Sequence, residues 1–460
     1  MVQKSTPVPI EVAPLHWFRR LWVPIVLVLV AMGVSASTIS QHSAALSPLD
    51  EWVYVDYLYK IPEQPIVLKG EYVGNDALDI MACDGVTPYG PMGPKCGTDY
   101  SDHSEFPFGG ITSADPYTPL YFYPTWAIGT PLSAVTGVSD VTGWRVAGSL
   151  WLPAGLVMMF LLMRRWSVPP LATLGLGLAF IGSPFSYWTY SYVSTDAPAF
   201  FFGALLLHIV TRYIEGTMKW WWLPIVSVIA VLVKVTNILA VGLALLVLLV
   251  SWIVRMVNRH EGVGEAPTAW RTRIPLVIGA SVGAALVAEV AWLAVNRATA
   301  TDGGAIDQGV SVQLTLKGLL SQLTNFLPNT IVSNVPVVGW DHPVLELPDF
   351  VVGPLSWLCI AGVVAAFFQS RASDDRAPLV IAVALGAVLF APLLALMLQL
   401  TTGAYFVLPS RYGAGLLAGI LLVTGLTLFQ HRWASWVLVA YGAGMCLVVP
   451  IQAYRMAVGG

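Results

Sequence analysis

Charge is scarce in this chain. Asp, Glu, Lys and Arg make up 11% of the 460 residues, against about 25% in soluble domains. That scarcity, with 56% hydrophobic residues and a mean hydropathy of +0.71, makes lipid the expected solvent. The sequence holds no Gly-rich phosphate loop ending in Lys-Ser or Lys-Thr, which argues against an ATP-driven machine. It contains no His-Glu-x-x-His zinc motif, and His208 and His431 stand alone. A net charge of −3 offers no basic surface to nucleic acid, so no such partner is expected. No internal repeat suggests an inverted-repeat transporter.

Cysteine is also sparse. Cys359 and Cys446 fall inside apolar runs, as small buried hydrophobes do. Cys83 and Cys96 lie in a polar Gly/Pro-rich stretch with no His or further Cys at zinc-site spacing. If that stretch faces an oxidising compartment, a disulfide follows.

Long apolar runs, by contrast, are abundant. A helix needs roughly 20 apolar residues to cross about 30 Å of hydrocarbon. Spans are expected near 21–39, 145–163, 168–187, 194–213, 220–236, 238–256, 274–295, 353–369, 378–399, 412–429 and 433–453. The chain therefore reads as an all-α integral membrane protein, one polytopic domain over 1–460 with about eleven spans. Arg19 and Arg20 precede the first run, but Leu21–Ile39 is too long for a signal-peptide core, and it reads as a retained helix.

Basic residues orient the bundle. With the N-terminus cytoplasmic, that side collects Lys4, Arg19, Arg20, Arg164, Arg165, Arg212, Lys219, Arg255, Arg259, Arg271, Arg273, Arg371, Arg376 and Arg432. Two long segments, 40–144 and 296–352, then lie outside the cytoplasm, in a cell-membrane protein. Loops of that length tend to be functional. Their spaced aromatic and apolar residues suggest short helices lying on the membrane, and Pro119–Trp126 has the Trp and Tyr of an interfacial segment.

Four clusters are candidates for chemistry. Ser47-Pro48-Leu49-Asp50-Glu51 reads first as a helix start, with Ser47 as cap, Pro48 at the first position and Asp50 completing a capping box. Its placement just past the first span, with Asp56 one turn on, is also where a lipid headgroup sits. Ser183-Pro184 through Ser194-Thr195-Asp196 forms a turn that delivers a carboxylate to the same surface. Two carboxylates there suit a general base and its partner. Lys234 ends an apolar run, either snorkelling or serving a site. Arg411-Tyr412 sits outside, against the positive-inside pattern, where a guanidinium suits a phosphate or simply ends a helix in solvent.

In this order, the clusters resemble the GT-C superfamily of polyprenyl-phosphate-sugar-dependent glycosyltransferases. Its relatives include protein mannosyltransferases, aminoarabinose transferases of lipid A, and mycobacterial mannosyl- and arabinofuranosyltransferases. Asp50-Glu51 is similar to the family's acidic pair after the first helix, and Thr118-Pro119-Leu120-Tyr121-Phe122 to the segment closing its first loop, without that segment's His. Gly143-Trp144-Arg145-Val146 through Leu162-Met163-Arg164-Arg165 resembles the second span. Ser183-Pro184 through Asp196, Leu232-Val233-Lys234 and Arg411-Tyr412 complete the layout, with Val233 where the family has Thr.

The resemblance implies a sugar, of the mannose or arabinofuranose class, passing from a polyprenyl-phosphate donor to a hydroxyl of a glycan, glycolipid or protein. It implies Asp50 as base, Glu51 and Asp196 beside it or holding a divalent cation, and Arg411, Lys234 and Tyr412 at the donor phosphate. Asp56 and Tyr121 would support the acceptor side. A transporter or flippase, and an assembly subunit whose polar clusters are only caps, are the alternatives.

Overall fold

The computed structural model describes residues 15–41, 44–87, 89–260, 268–301, 312–332, 347–369 and 375–459. Lys4 and Arg371, and stretches 302–311 and 333–346 of the second long segment, lie outside the described residues. Among those described the protein is helical: no strand forms, only isolated bridge pairs such as Val312 with Tyr405.

The chain begins with α1 (Leu15–Gln41). Three shorter helices follow, α2 (Glu51–Lys60), α3 (Asn75–Cys83) and α4 (Pro119–Thr136). Helices α5 (Asp140–Ser149) and α6 (Trp151–Arg165) run on as one apolar length, and α7 (Pro170–Ile181) and α8 (Pro184–Tyr190) meet at a 61° bend. Then come α9 (Ala197–Ile214), α10 (Trp222–Val233), α11 (Ile238–His260), α12 (Thr268–Ala298), α13 (Leu316–Thr330) and α14 (Asp349–Gln369). The series ends with α15 (Ala377–Thr402), α16 (Ala414–Thr427) and α17 (Arg432–Gly459).

Among the described residues, nine helices are long and apolar enough to cross a membrane, or ten if the bent α7–α8 pair counts as one span. The chain is thus a multi-pass, all-α membrane protein. Two of the eleven expected intervals differ from an unbroken span. In 168–187, Gly182 ends α7 and Ser183 with Pro184 restarts the chain as α8, since proline is suited to a first helical turn but not to an interior. In 220–236, α10 has only 12 residues before the backbone turns extended at Lys234 (φ −160°, ψ 127°).

Close packing rests on glycine where helices cross. A Cβ at Gly203 of α9 would lie 2.2 Å from the Gly415 carbonyl oxygen of α16, and one at Gly143 of α5 would lie 2.4 Å from that of Gly129 on α4. These contacts draw four helices together where a single methyl group would part them.

The 41–140 stretch folds onto the bundle rather than hanging from it. Helix α2 is buried from Glu51 to Leu58, and Tyr57 stacks on Phe122 of α4 with centroids 3.9 Å apart. This corrects the expectation of helices lying on a membrane surface for α2, whose whole circumference is covered by protein. The Pro119–Trp126 segment is the first half of α4; it buries Tyr121 and Phe122 and exposes Leu120 and Tyr123. Cys83, at the end of α3, is disulfide-bonded to Cys96, as expected. Cys359 and Cys446 are buried free thiols, also as expected.

Candidate active site

Asp50 is not a capping-box partner. Helix α2 starts one residue later, and Asp50 is its N-cap in the left-handed region (φ 61°, ψ 11°) with no side-chain capping bond. A non-glycine residue held there costs about 1–3 kcal/mol, and such strain clusters at functional sites. Ser47 does not cap the helix either: in the turn before it, the Ser47 N–H donates to the Glu51 carboxylate at 2.7 Å and the Ser47 hydroxyl accepts from Leu49 N–H. The Asp50 carboxylate is left 41% exposed.

Its neighbours come from two distant turns. The Asp50 Oδ2 lies 3.5 Å from an Arg411 Nη, and the same guanidinium's Nε donates to Asp196 Oδ2 at 3.2 Å. Arg411 arrives on the one-turn 3₁₀ helix Ser410–Gly413 that opens α16. Asp196 stands at the start of α9, just before Pro198, on the turn the sequence predicts. Lys234 completes the row: its Nζ is 2.7 Å from Asp196 Oδ1, a buried ion pair. Lys234 is buried, so it does not snorkel. The helix break that presents it is closed by the Asn237 side chain, which donates to the Ala230 carbonyl at 2.9 Å. Four charges, Asp50–Arg411–Asp196–Lys234, therefore form one alternating chain, exposed at Asp50 and buried at Lys234.

Aromatic rings wall this chain. Lys234 Nζ stands 5.7 Å from the Tyr117 ring centroid and 5.5 Å from that of Tyr412, and the Arg411 guanidinium is 5.5 Å from the latter. The Tyr54 hydroxyl accepts from Thr195 at 3.2 Å and donates to Tyr117 at 3.2 Å, tying α2 to the Asp196 turn. Tyr54 and Tyr117 are not among the site residues the sequence indicates, and Thr195 enters there only as part of the Asp196 turn. No local pattern marks them, because only the fold brings the three hydroxyls together.

The remaining candidates lie elsewhere. Glu51 is fully buried; Arg145 donates to both its oxygens at 2.9 Å and the Val193 N–H to Oε1 at 2.8 Å. With Ser47 on Oε2 as well, that carboxylate is saturated, and its place is structural. It pins α2 to α5 and to the turn before Asp196. Tyr121 acts on the same turn from α4, its hydroxyl accepting from Ser194 N–H at 3.1 Å. Asp56 meets Lys60 at 2.9 Å and accepts from Gly74 N–H at 2.7 Å, holding α2 to the start of α3. Burial pushes its carboxyl up to about 6, against the opposing pull of Lys60 and the Gly74 N–H. None of these three joins the charged row.

A divalent cation does not fit the donor set. Among the described residues no group of three or more His, Cys, Asp or Glu side chains is arranged to hold a metal. Asp50 and Asp196 share a guanidinium, and Asp196 spends its other oxygen on Lys234.

A cleft opens beside Lys234. It is lined by Tyr117, Thr118, Tyr412, the 231–236 segment at the end of α10, and Glu289 of α12. Thr118 donates to the Leu232 carbonyl at 2.6 Å, joining two of its lining segments. Glu289 was also not singled out, although a carboxylate inside an apolar run was a readable signal. No protein-family model matches the sequence, and no curated protein matches it.

Proposed function

We propose that this protein is a membrane glycosyltransferase of the GT-C kind. It moves a sugar of the mannose or arabinofuranose class from a polyprenyl phosphate to an acceptor hydroxyl on the extracytoplasmic side. One observation carries the reading: Asp50, strained, uncapped and half-open to solvent, shares a single guanidinium with a buried aspartate from another turn.

Each group has a task. The acceptor oxygen attacks the anomeric carbon as the bond from that carbon to the phosphate oxygen breaks. Asp50 takes the acceptor's proton, and the lipid phosphate leaves with the bonding electron pair. A single displacement inverts the anomeric centre. Arg411 and Lys234 meet the charge growing on the phosphate, already oriented by Asp196, so little reorganisation is needed. Glu51 orients the base through the backbone, by fixing α2. In this reading the bent α7–α8 pair and short α10 complete eleven passes, the N-terminus is cytoplasmic, and the site faces outwards across the cell membrane.

The test is turnover of a panel of mannosyl and arabinofuranosyl polyprenyl phosphates by purified protein. D50N should fold as the wild type does and lose about 10²-fold or more of kcat, the scale of general-base catalysis. A wild type that turns over none of the panel defeats the proposal. A buried charge row is also what a flippase for lipid-linked solutes would carry; such a protein scrambles lipid in liposomes without glycosylated product.

A further inference from the structure

Glu289 has no function in the scheme above, and its position is costly. It lies in the apolar length Arg273–Ala298 of α12, the span with the smallest buried share, at 22%. Its neighbours Leu286, Val287, Val290 and Leu293 are exposed apolar side chains, of the kind a span turns towards lipid. A carboxylate among them is expensive unless it serves a ligand or a partner. Among the described residues the Glu289 carboxylate has no hydrogen bond or ion pair, and it lines the same cleft as Lys234.

The cleft is built, not a gap between loose helices. Trp292 of α12 donates to the Pro116 carbonyl at 2.8 Å, and Asn296 donates to that of Asp115. Thr301 fixes the far end of α12 to the Lys69 carbonyl through its N–H at 2.8 Å. Helix α12 is thereby latched to the segment carrying Tyr117 and Thr118, and Glu289 and Lys234 line the same cleft. Tyr117 and Tyr412, also in the lining, hold their rings 5.7 and 5.5 Å from Lys234 Nζ.

The lining thus sets two tyrosines, the buried Lys234 and the Glu289 carboxylate among the aliphatic residues of the 231–235 stretch, beside further exposed aliphatic side chains on α12. Aromatic faces with a carboxylate suit a polyhydroxylated ring, whose hydroxyls donate to Glu289. The ammonium suits the phosphate attached to that ring, and the aliphatic flank suits an isoprenoid tail.

We infer that this cleft receives the donor's sugar ring and that Glu289 is a specificity-determining residue accepting its hydroxyls. This rests on the proposed transferase reading and adds where the sugar is read. A free phosphate or a bare lipid phosphate would gain nothing from Glu289, whereas a glycosylated one would.

Binding separates these cases without turnover. Wild type, E289Q and E289L would be placed in nanodiscs and titrated with a polyprenyl phosphate and with its mannosyl and arabinofuranosyl forms. Leucine suits a lipid-facing position, so E289L should fold; a melting curve on each variant checks this. Wild type should prefer one glycosylated form over the bare lipid. E289L should lose about tenfold for that form, the scale of a hydrogen bond to a charged group, and keep the bare lipid within about twofold. E289Q should fall between, since its amide oxygen still accepts. Equal loss for bare and glycosylated lipid, or no loss for either, overturns the inference and leaves the transferase reading intact. Wild type that binds neither lipid overturns both.

Discussion

Adjacent acidic residues can have opposite fates, and Asp50 and Glu51 do. The left-handed turn at Asp50 sends its carboxylate to solvent and Arg411, while Glu51, on the first turn of α2, points into the protein at Arg145. A buried ion pair broken from one side leaves an uncompensated charge and costs about 3–5 kcal/mol. E51Q should therefore lower the melting temperature of the detergent-solubilised protein sharply, with D50N melting near wild type. A melting temperature unchanged in E51Q would return that residue to the list of catalytic candidates. The charged residues of the row were legible from placement: Asp50 just past a span, Asp196 at a turn between spans, Lys234 at the end of an apolar run and Arg411 against the positive-inside pattern. Their division of labour was not, since adjacency does not reveal which way a carboxylate turns.

At the scale of elements, the stretch between α1 and α5 is held by short-range devices. The Cys83–Cys96 disulfide closes a 13-residue separation behind α3, and Leu46 pairs with Gly85 and Thr87 through backbone hydrogen bonds. A cross-link of that size is worth about 2–4 kcal/mol. Lys95 sits beside it in an exposed turn. Trypsin should cut at Lys95 faster in C83S/C96S, or under reductant, than in the untreated protein. Equal cutting rates would mean that the surrounding turns, not the disulfide, hold this segment. The disulfide was readable from composition because no metal-site spacing competed with it. The burial of α2 was not, because a ten-residue helix with three tyrosines and a tryptophan reads equally as interfacial or as enclosed.

For the whole molecule, the charge bias sets the proposed orientation, and two exposed positions test it. Val138 lies between α4 and α5, and Lys219 between α9 and α10. In intact cells a membrane-impermeant maleimide should label V138C but reach K219C only after permeabilisation. The native thiols are buried or disulfide-bonded and give a low background. Labelling of K219C in intact cells would invert the bundle and put the charged row on the wrong side for the proposed donor.

Hydropathy alone determined the solvent, the class and most of the spans, because the cost of placing polar groups in hydrocarbon acts on composition and on run length. The disulfide followed from cysteine number and spacing, and Lys234 from its place at the end of an apolar run. Tertiary structure decided the rest. It set which carboxylate is free, which is locked to Arg145, where Tyr54 and Tyr117 meet, and that Glu289 shares a cleft with Lys234. Those are relations between residues far apart in the chain, fixed by helix packing and backbone turns that no local stretch of sequence encodes.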